Sequence, residues 1–208
     1  MGELYAFDLQ PLIKKHNLEI YFETGTGKGV SLRHALKYPF VKYYSVDIDN
    51  ELIEQSLHLK KEHEGLVLIK GFSKEAITNI VPNIAKDSPV LFFLDAHFPG
   101  ADFHKISYEQ SIRHFKRDAF PLIEEIESIK KHRDISKDAF IIDDLMIYED
   151  DDYESKKEGC TWKYRWLQEE LGLETDANFL YDAFADTHNI KKDLRHQGYL
   201  VVTPKTKG

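Results

Sequence analysis

Cysteine is nearly absent. Cys160 is the only one in 208 residues, so no intrachain disulfide can form and a reducing compartment fits best. Long apolar runs are missing as well, since no stretch approaches the roughly 18 apolar residues a membrane-spanning helix requires. The opening segment, MGELYAFDLQPLIKKHNLEI, has no basic start followed by an apolar run, as an export signal would. Basic excess is also lacking. The formal net charge is −8, and no cluster of Lys and Arg interleaves with aromatics. Nucleic-acid binders use such clusters to displace counterions, so the balance argues against that class. A small nucleotide-like ligand stays open. There is no internal repeat and no low-complexity segment. These absences predict a cytoplasmic protein that engages neither membrane nor nucleic acid.

What is present is enough apolar material, 42% of residues, for a core of one domain over residues 1–208. Apolar, β-branched runs alternate with helical stretches. Strands are predicted at 19–23 (EIYFE), 42–47 (KYYSVD), 65–70 (GLVLIK), 89–95 (PVLFFLD) and 139–143 (AFIID). Helices are predicted at 29–38, at 51–62 with Asn50 as cap, at 73–80 with Ser73 as cap, at 120–132 and at 162–171. Residues 178–185 and 199–203 read as two further strands, most simply an antiparallel hairpin. Residues 1–18 form a helical extension, and 204–208 a short polar tail. The order implies an α/β fold: a Rossmann-like, mostly parallel seven-stranded sheet with helices on both faces and a C-terminal antiparallel hairpin.

The first strand runs into Glu23-Thr24-Gly25-Thr26-Gly27-Lys28-Gly29. Glycines allow a sharp turn and close approach to a ligand, and a helix start favours an anion. Two nucleotide readings fail on spacing. A P-loop needs Gly where Phe22 stands and Ser or Thr where Gly29 stands, and the dinucleotide fingerprint needs Gly at Val30.

An acidic residue before a G-x-G-x-G turn remains, and FETGTGKG resembles the first motif of class I S-adenosylmethionine-dependent methyltransferases. YYSVDID resembles the acidic end of their second strand, and LIKGFSKEAI the segment near their adenine. The resemblance implies S-adenosylmethionine as cofactor, held by Glu23, Gly25, Thr26, Gly27, Asp47, Ile48, Gly71, Phe72, Ser73 and Asp95. Asp47 would take the ribose hydroxyls, since an ionised carboxylate offers acceptors only. These positions gather at the carboxyl ends of the strands, the edge where such sheets bind ligands.

Strand four ends in Asp95-Ala96-His97 and strand five in Asp143-Asp144. Three carboxylates brought together would repel unless a cation joined them, and hard oxygen ligands suit Mg²⁺, with Mn²⁺ or Ca²⁺ as alternatives. The pattern resembles the metal-dependent O-methyltransferases, both the catechol type and the macrolide and aminocoumarin sugar enzymes. That resemblance implies Asp95, Asp143 and Asp144 as metal ligands. The catechol type places a lysine three residues after the first ligand, where this chain has Phe98, so His97 is the nearest candidate base.

Residues 96–117 would form an acceptor-binding or lid insert, with Phe103, His104, Tyr108 and His114 as acceptor contacts and Tyr148 nearby. The acidic run 149–152 reads as solvated, and Cys160 and Trp162 as packing near a helix start. The expected activity is metal-assisted O-methylation of a small hydroxylated acceptor, a sugar or a phenol, by a protein for which a homodimer is compatible. A metal-independent methyltransferase, a non-catalytic cofactor-binding domain and an NAD-dependent oxidoreductase are the alternatives.

Overall fold

A computed structural model describes residues 4–159, 163–173 and 176–205. Strands β1 (Ile20–Thr24), β2 (Lys42–Asp47), β3 (Leu66–Lys70), β4 (Val90–Leu94), β5 (Ala139–Ile142), β6 (His188–Asp193) and β7 (Tyr199–Pro204) form one sheet in the order β3-β2-β1-β4-β5-β7-β6. The pairs β1–β2, β1–β4, β2–β3 and β4–β5 are parallel, while β7 runs antiparallel to both neighbours. The helices are α1 (Gln10–His16), α2 (Val30–Ala35), α3 (Asn50–Ser56), α4 (Ser73–Ile80), α5 (Tyr108–Phe115), α6 (Leu122–His132), α7 (Glu154–Lys157), α8 (Arg165–Glu170) and α9 (Asn178–Phe184). No helix among the described residues is long and apolar enough to cross a membrane.

The sheet is covered on both faces, which is why β1, β4 and β5 are buried at every position and read as unbroken apolar runs. Alternate residues enter different cores. Phe22, Phe92 and Phe140 pack with α4, α6 and α9, whereas Tyr21, Phe93 and Ile141 pack with α1 and α2. In the first core Phe140 stacks on Phe92 at 5.0 Å and meets Phe184 at 4.7 Å.

Three sequence expectations need correction. Residues 178–185 are not a strand: they are α9, held by burial of Ala177, Leu180 and Phe184 on one helical face. The hairpin exists, but its first strand is β6, HNIKKD, whose charged and polar residues suit the outer edge of the sheet. Within 96–117 a regular helix appears, α5, opened by a capping box: Ser107 Oγ accepts from Gln110 N at 3.1 Å and Ser107 N donates to Gln110 Oε1 at 2.9 Å. Caps shift too. Asp49, not Asn50, caps α3 by accepting from Glu51 N at 3.0 Å, and Ser73 is the first residue of α4 rather than its cap. Cys160 and Trp162 lie outside the described residues.

Candidate functional site

The parallel strands end on one edge, and the loops after β1, β2, β3 and β4 enclose a groove there. Its floor is the loop after β1, which folds back on β2 through Gly25 N and Thr26 N, both donating to Val46 O at 2.8 and 3.0 Å. A Cβ on Gly25 would lie 2.5 Å from the Asp95 carbonyl oxygen, and its φ of +83° also favours glycine. Asp47 rises at the end of β2. Its Oδ2 accepts from Gly27 N and its Oδ1 from Asp49 N, each at 2.8 Å. Burial pushes its carboxyl up, against the pull of those two backbone donors.

Gly25, Gly27, Asp47, Ile48, Gly71, Phe72, Ser73 and Asp95 line this groove. Glu23 and Thr26 are elsewhere. Both side chains point beneath the loop and are buried, where Tyr21 Oη donates to Glu23 Oε2 at 2.6 Å and Ser45 Oγ to Glu23 Oε1 at 2.5 Å. Thr26 Oγ1 shares a 2.6 Å hydrogen bond with Ser45 Oγ. Burial pushes Glu23 up to about 8. Its role in this structure is to brace the floor.

One wall is a strap, residues 99–106. Phe103 lies over Gly27, and Lys105 Nζ spans the groove to Asp49 Oδ2 at 2.5 Å and Glu51 Oε2 at 2.8 Å. Tyr108 Oη donates to Asp102 Oδ1 at 2.7 Å. His104 and His114 are exposed and stand away from the groove lining. Phe98, at the position of the catechol-type lysine, is buried edge-on against Tyr108 and Phe120 at 5.1 and 5.2 Å.

At the inner end of the groove Asp95, His97 and Asp144 converge, each offering one ligand atom within 4.8 Å of the others. His97 Nδ1 lies 3.6 Å from Asp95 Oδ1, and Nε2 contacts Asp144 Oδ2. Burial alone would lower His97, but Asp144 and then Asp95 hold it up at about 10. Burial pushes Asp95 up to about 7 against the pull of His97, while His97 brings Asp144 below the ordinary range despite its burial. With a carboxylate at each ring nitrogen, His97 is placed to hold rather than to accept a proton.

Asp143 separates from the triad expected for it. Its Oδ1 accepts from the Asp144 backbone N–H at 2.7 Å, and its side chain faces a small cavity behind the cluster. Burial, then Asp144 and Asp95, push its carboxyl well up. The same cavity is lined by Tyr148 and by Glu125 of α6, which the sequence reading did not single out. Glu125 is 1% exposed and its Oε1 has no hydrogen-bond partner. The signal was available: Glu125 interrupts the apolar stripe Leu122, Ile126, Ile129.

No family model and no curated protein matches the chain. Solved structures do. A candidate caffeoyl-CoA O-methyltransferase from Staphylococcus aureus superposes with a TM-score of 0.59 at 12% identity, over 99% of this chain and 85% of that one. The methyltransferase PaMTH1 of Podospora anserina, bound to S-adenosylhomocysteine, gives 0.55 at 11% identity, over 94% and 75%. A candidate methyltransferase from Streptococcus mutans, also holding S-adenosylhomocysteine, gives 0.51 at 14%, over 96% and 100%. The chain has the class I methyltransferase fold. The mostly parallel sheet with its antiparallel C-terminal strands β6 and β7 is that fold's arrangement.

Proposed function

We propose that this protein is an S-adenosylmethionine-dependent methyltransferase acting on a hydroxyl of a small acceptor, a sugar or a phenol, with a divalent cation. One observation carries the reading: the glycine-floored groove with Asp47 on its wall is also lined by Asp95 and His97, two members of the half-buried Asp95–His97–Asp144 cluster.

The residues present fit both groups. Gly25 leaves the floor without a side chain, and each Asp47 oxygen, having accepted one backbone N–H, keeps a lone pair for a ribose diol. Gly71, Phe72 and Ser73 form the wall nearest the start of α4, where an adenine would rest. Asp95, His97 and Asp144 supply two carboxylates and an imidazole, a donor set able to hold a divalent cation. When bound, the cofactor supplies an electrophilic methyl carbon and the cation lowers the pKa of a hydroxyl.

The chain's own contribution is placement. Methyl transfer is an in-line displacement, so orientation accounts for much of the acceleration. The strap, with Phe103 against Gly27 and Lys105 joined to Asp49 and Glu51, narrows the groove.

The test is transfer of label from S-adenosylmethionine to a panel of hydroxylated sugars and phenols. Transfer is expected with Mg²⁺ or Mn²⁺, and its loss with excess chelator. Asp47→Asn should weaken S-adenosylhomocysteine binding by roughly tenfold or more, the loss of one charge-assisted acceptor. A protein that binds no S-adenosylhomocysteine by calorimetry would end the proposal.

A second reading rests on the same cluster. His97 already joins Asp95 and Asp144 as an ion triad, which favours a methyltransferase of this fold that needs no metal. Equal turnover with and without chelator would select it.

A further inference from the structure

We propose that the ion at this site is bound through the imidazole of His97 together with Asp95 and Asp144, so that it is a first-row transition-metal dication rather than Mg²⁺. Asp143 then acts as a positioning residue and not a ligand. The inference rests on the metal-assisted reading above and concerns which ion the site selects and which atoms select it.

Three observations point this way. First, the donor set is mixed. The three side chains that bring a ligand atom within 4.8 Å of one another are Asp95, His97 and Asp144, and Asp143 is not among them. Mg²⁺ prefers oxygen and keeps much of its water, whereas imidazole suits first-row transition metals such as iron, nickel, copper and zinc, with Mn²⁺ the borderline case that still accepts nitrogen. An imidazole among two carboxylates therefore discriminates against Mg²⁺.

Second, the backbone around the ligands is arranged for aim. Asp144 sits at φ 55°, ψ 43°, a left-handed conformation that costs energy for a residue with a Cβ. The 2.7 Å hydrogen bond from its own N–H to Asp143 Oδ1 braces that turn, and Asp144 Oδ2 reaches His97. Supports of this kind, one layer behind a ligand, set the ligand's orientation.

Third, the cavity behind the cluster is acid-rich. Asp95, Glu125 and Asp143 line it beside His97, and no Lys or Arg is among its described lining residues. Glu125 contributes a fully buried carboxyl oxygen with no partner. His97 is the one basic side chain among the described lining residues, set against three carboxyl groups, and a dication at Asp95 and Asp144 would add positive charge where burial makes carboxylates costly.

The experiment uses the full chain stripped with EDTA and dialysed. Calorimetry measures affinity for Mg²⁺ and Mn²⁺ separately, and pulsed electron paramagnetic resonance of the Mn²⁺-loaded protein reads directly bound nitrogen. Mn²⁺ is expected to bind roughly tenfold or more tighter than Mg²⁺, with a ¹⁴N coupling from one imidazole. His97→Gln should remove the coupling and bring the two affinities together. Asp143→Asn should keep the coupling, which a ligand role for Asp143 combined with an oxygen-only site would not allow.

Equal affinities with no nitrogen coupling in the unaltered chain would overturn the inference and leave metal-assisted transfer standing. Failure of both ions to bind would overturn it together with the metal. Calorimetry with S-adenosylhomocysteine on the same sample then shows whether the cofactor reading survives. Because the decisive spectrum comes from the unaltered protein, a variant that fails to fold does not remove the test.

Discussion

A methyl group at Gly25 has no room. It would fall 2.5 Å from the Asp95 carbonyl oxygen, on a backbone already at φ +83°. Gly25→Ala must therefore push the loop after β1 away from β4 and out from under the groove. The expected result is a loss of S-adenosylhomocysteine affinity of roughly tenfold or more with the fold retained, read by calorimetry and circular dichroism; unchanged affinity would remove the loop from the proposed cofactor site. Glu23, two residues earlier, offers a test by pH. Burial raises it from 4.5 to about 8, so the folded chain holds a proton that the unfolded chain releases. Its stabilising contribution is complete below about pH 4.5 and is lost as pH rises through about 8. Glu23 accepts from both Tyr21 and Ser45, and Glu23→Gln keeps one of those two acceptors, puts an amide N–H at the other and removes the titration. Urea midpoints at pH 5 and pH 8.5 should converge in the variant relative to the parent, and an identical pH slope in the two would contradict this. The sequence placed Glu23 at the right strand end but could not show its side chain turned under the loop, because alternation along a strand buried on both faces leaves no polarity signal.

Among the elements, β5 shows how burial depends on neighbours. Phe140 lies between Phe92 of β4 and Phe184 of α9, with ring centroids 5.0 and 4.7 Å away. Phe140→Ala should cost about 3–5 kcal/mol, seen as a lowered urea midpoint with an unchanged slope; a cost under about 1 kcal/mol would mean that α9 does not pack there. The parallel strands were legible because each is an apolar run closed by a turn. The α9–β6 region was not. Its aromatics invited a strand where the 177, 180, 184 spacing makes a helix, and the true edge strand is too charged to look like one. The acidic run 149–152 misled in the opposite sense. Glu149 accepts from Tyr153 and Tyr181 and pairs with Lys192, which also pairs with Asp151, so these acids tie the end of β5 to α9 and β6 rather than standing in solvent. Partners so distant in sequence leave no local trace.

For the whole molecule the strongest consequence of the fold is where binding energy would be felt. The groove is built from the loops after four of the seven strands, so a ligand in it joins the central sheet to the strap and to α3. Such a ligand binds only the folded chain and stabilises it by mass action, about 2.7 kcal/mol at a hundredfold excess over Kd. For a chain of 150–250 residues that corresponds to a rise in Tm of about 5–10 °C. S-adenosylhomocysteine is therefore expected to raise Tm by that amount at saturating concentration, and NAD to leave it unchanged. The asymmetry follows from the loop after β1, where Val30 stands in place of the third glycine that a dinucleotide site needs for close helix–strand packing. At the same ligand concentration the Asp47→Asn variant should lose about half of the rise or more, because a roughly tenfold weaker Kd takes about 1.4 kcal/mol from the mass-action term. An equal rise with NAD would show that the groove reads adenosine alone, and the methyl-transfer proposal would then lose its link to the cofactor that makes it possible.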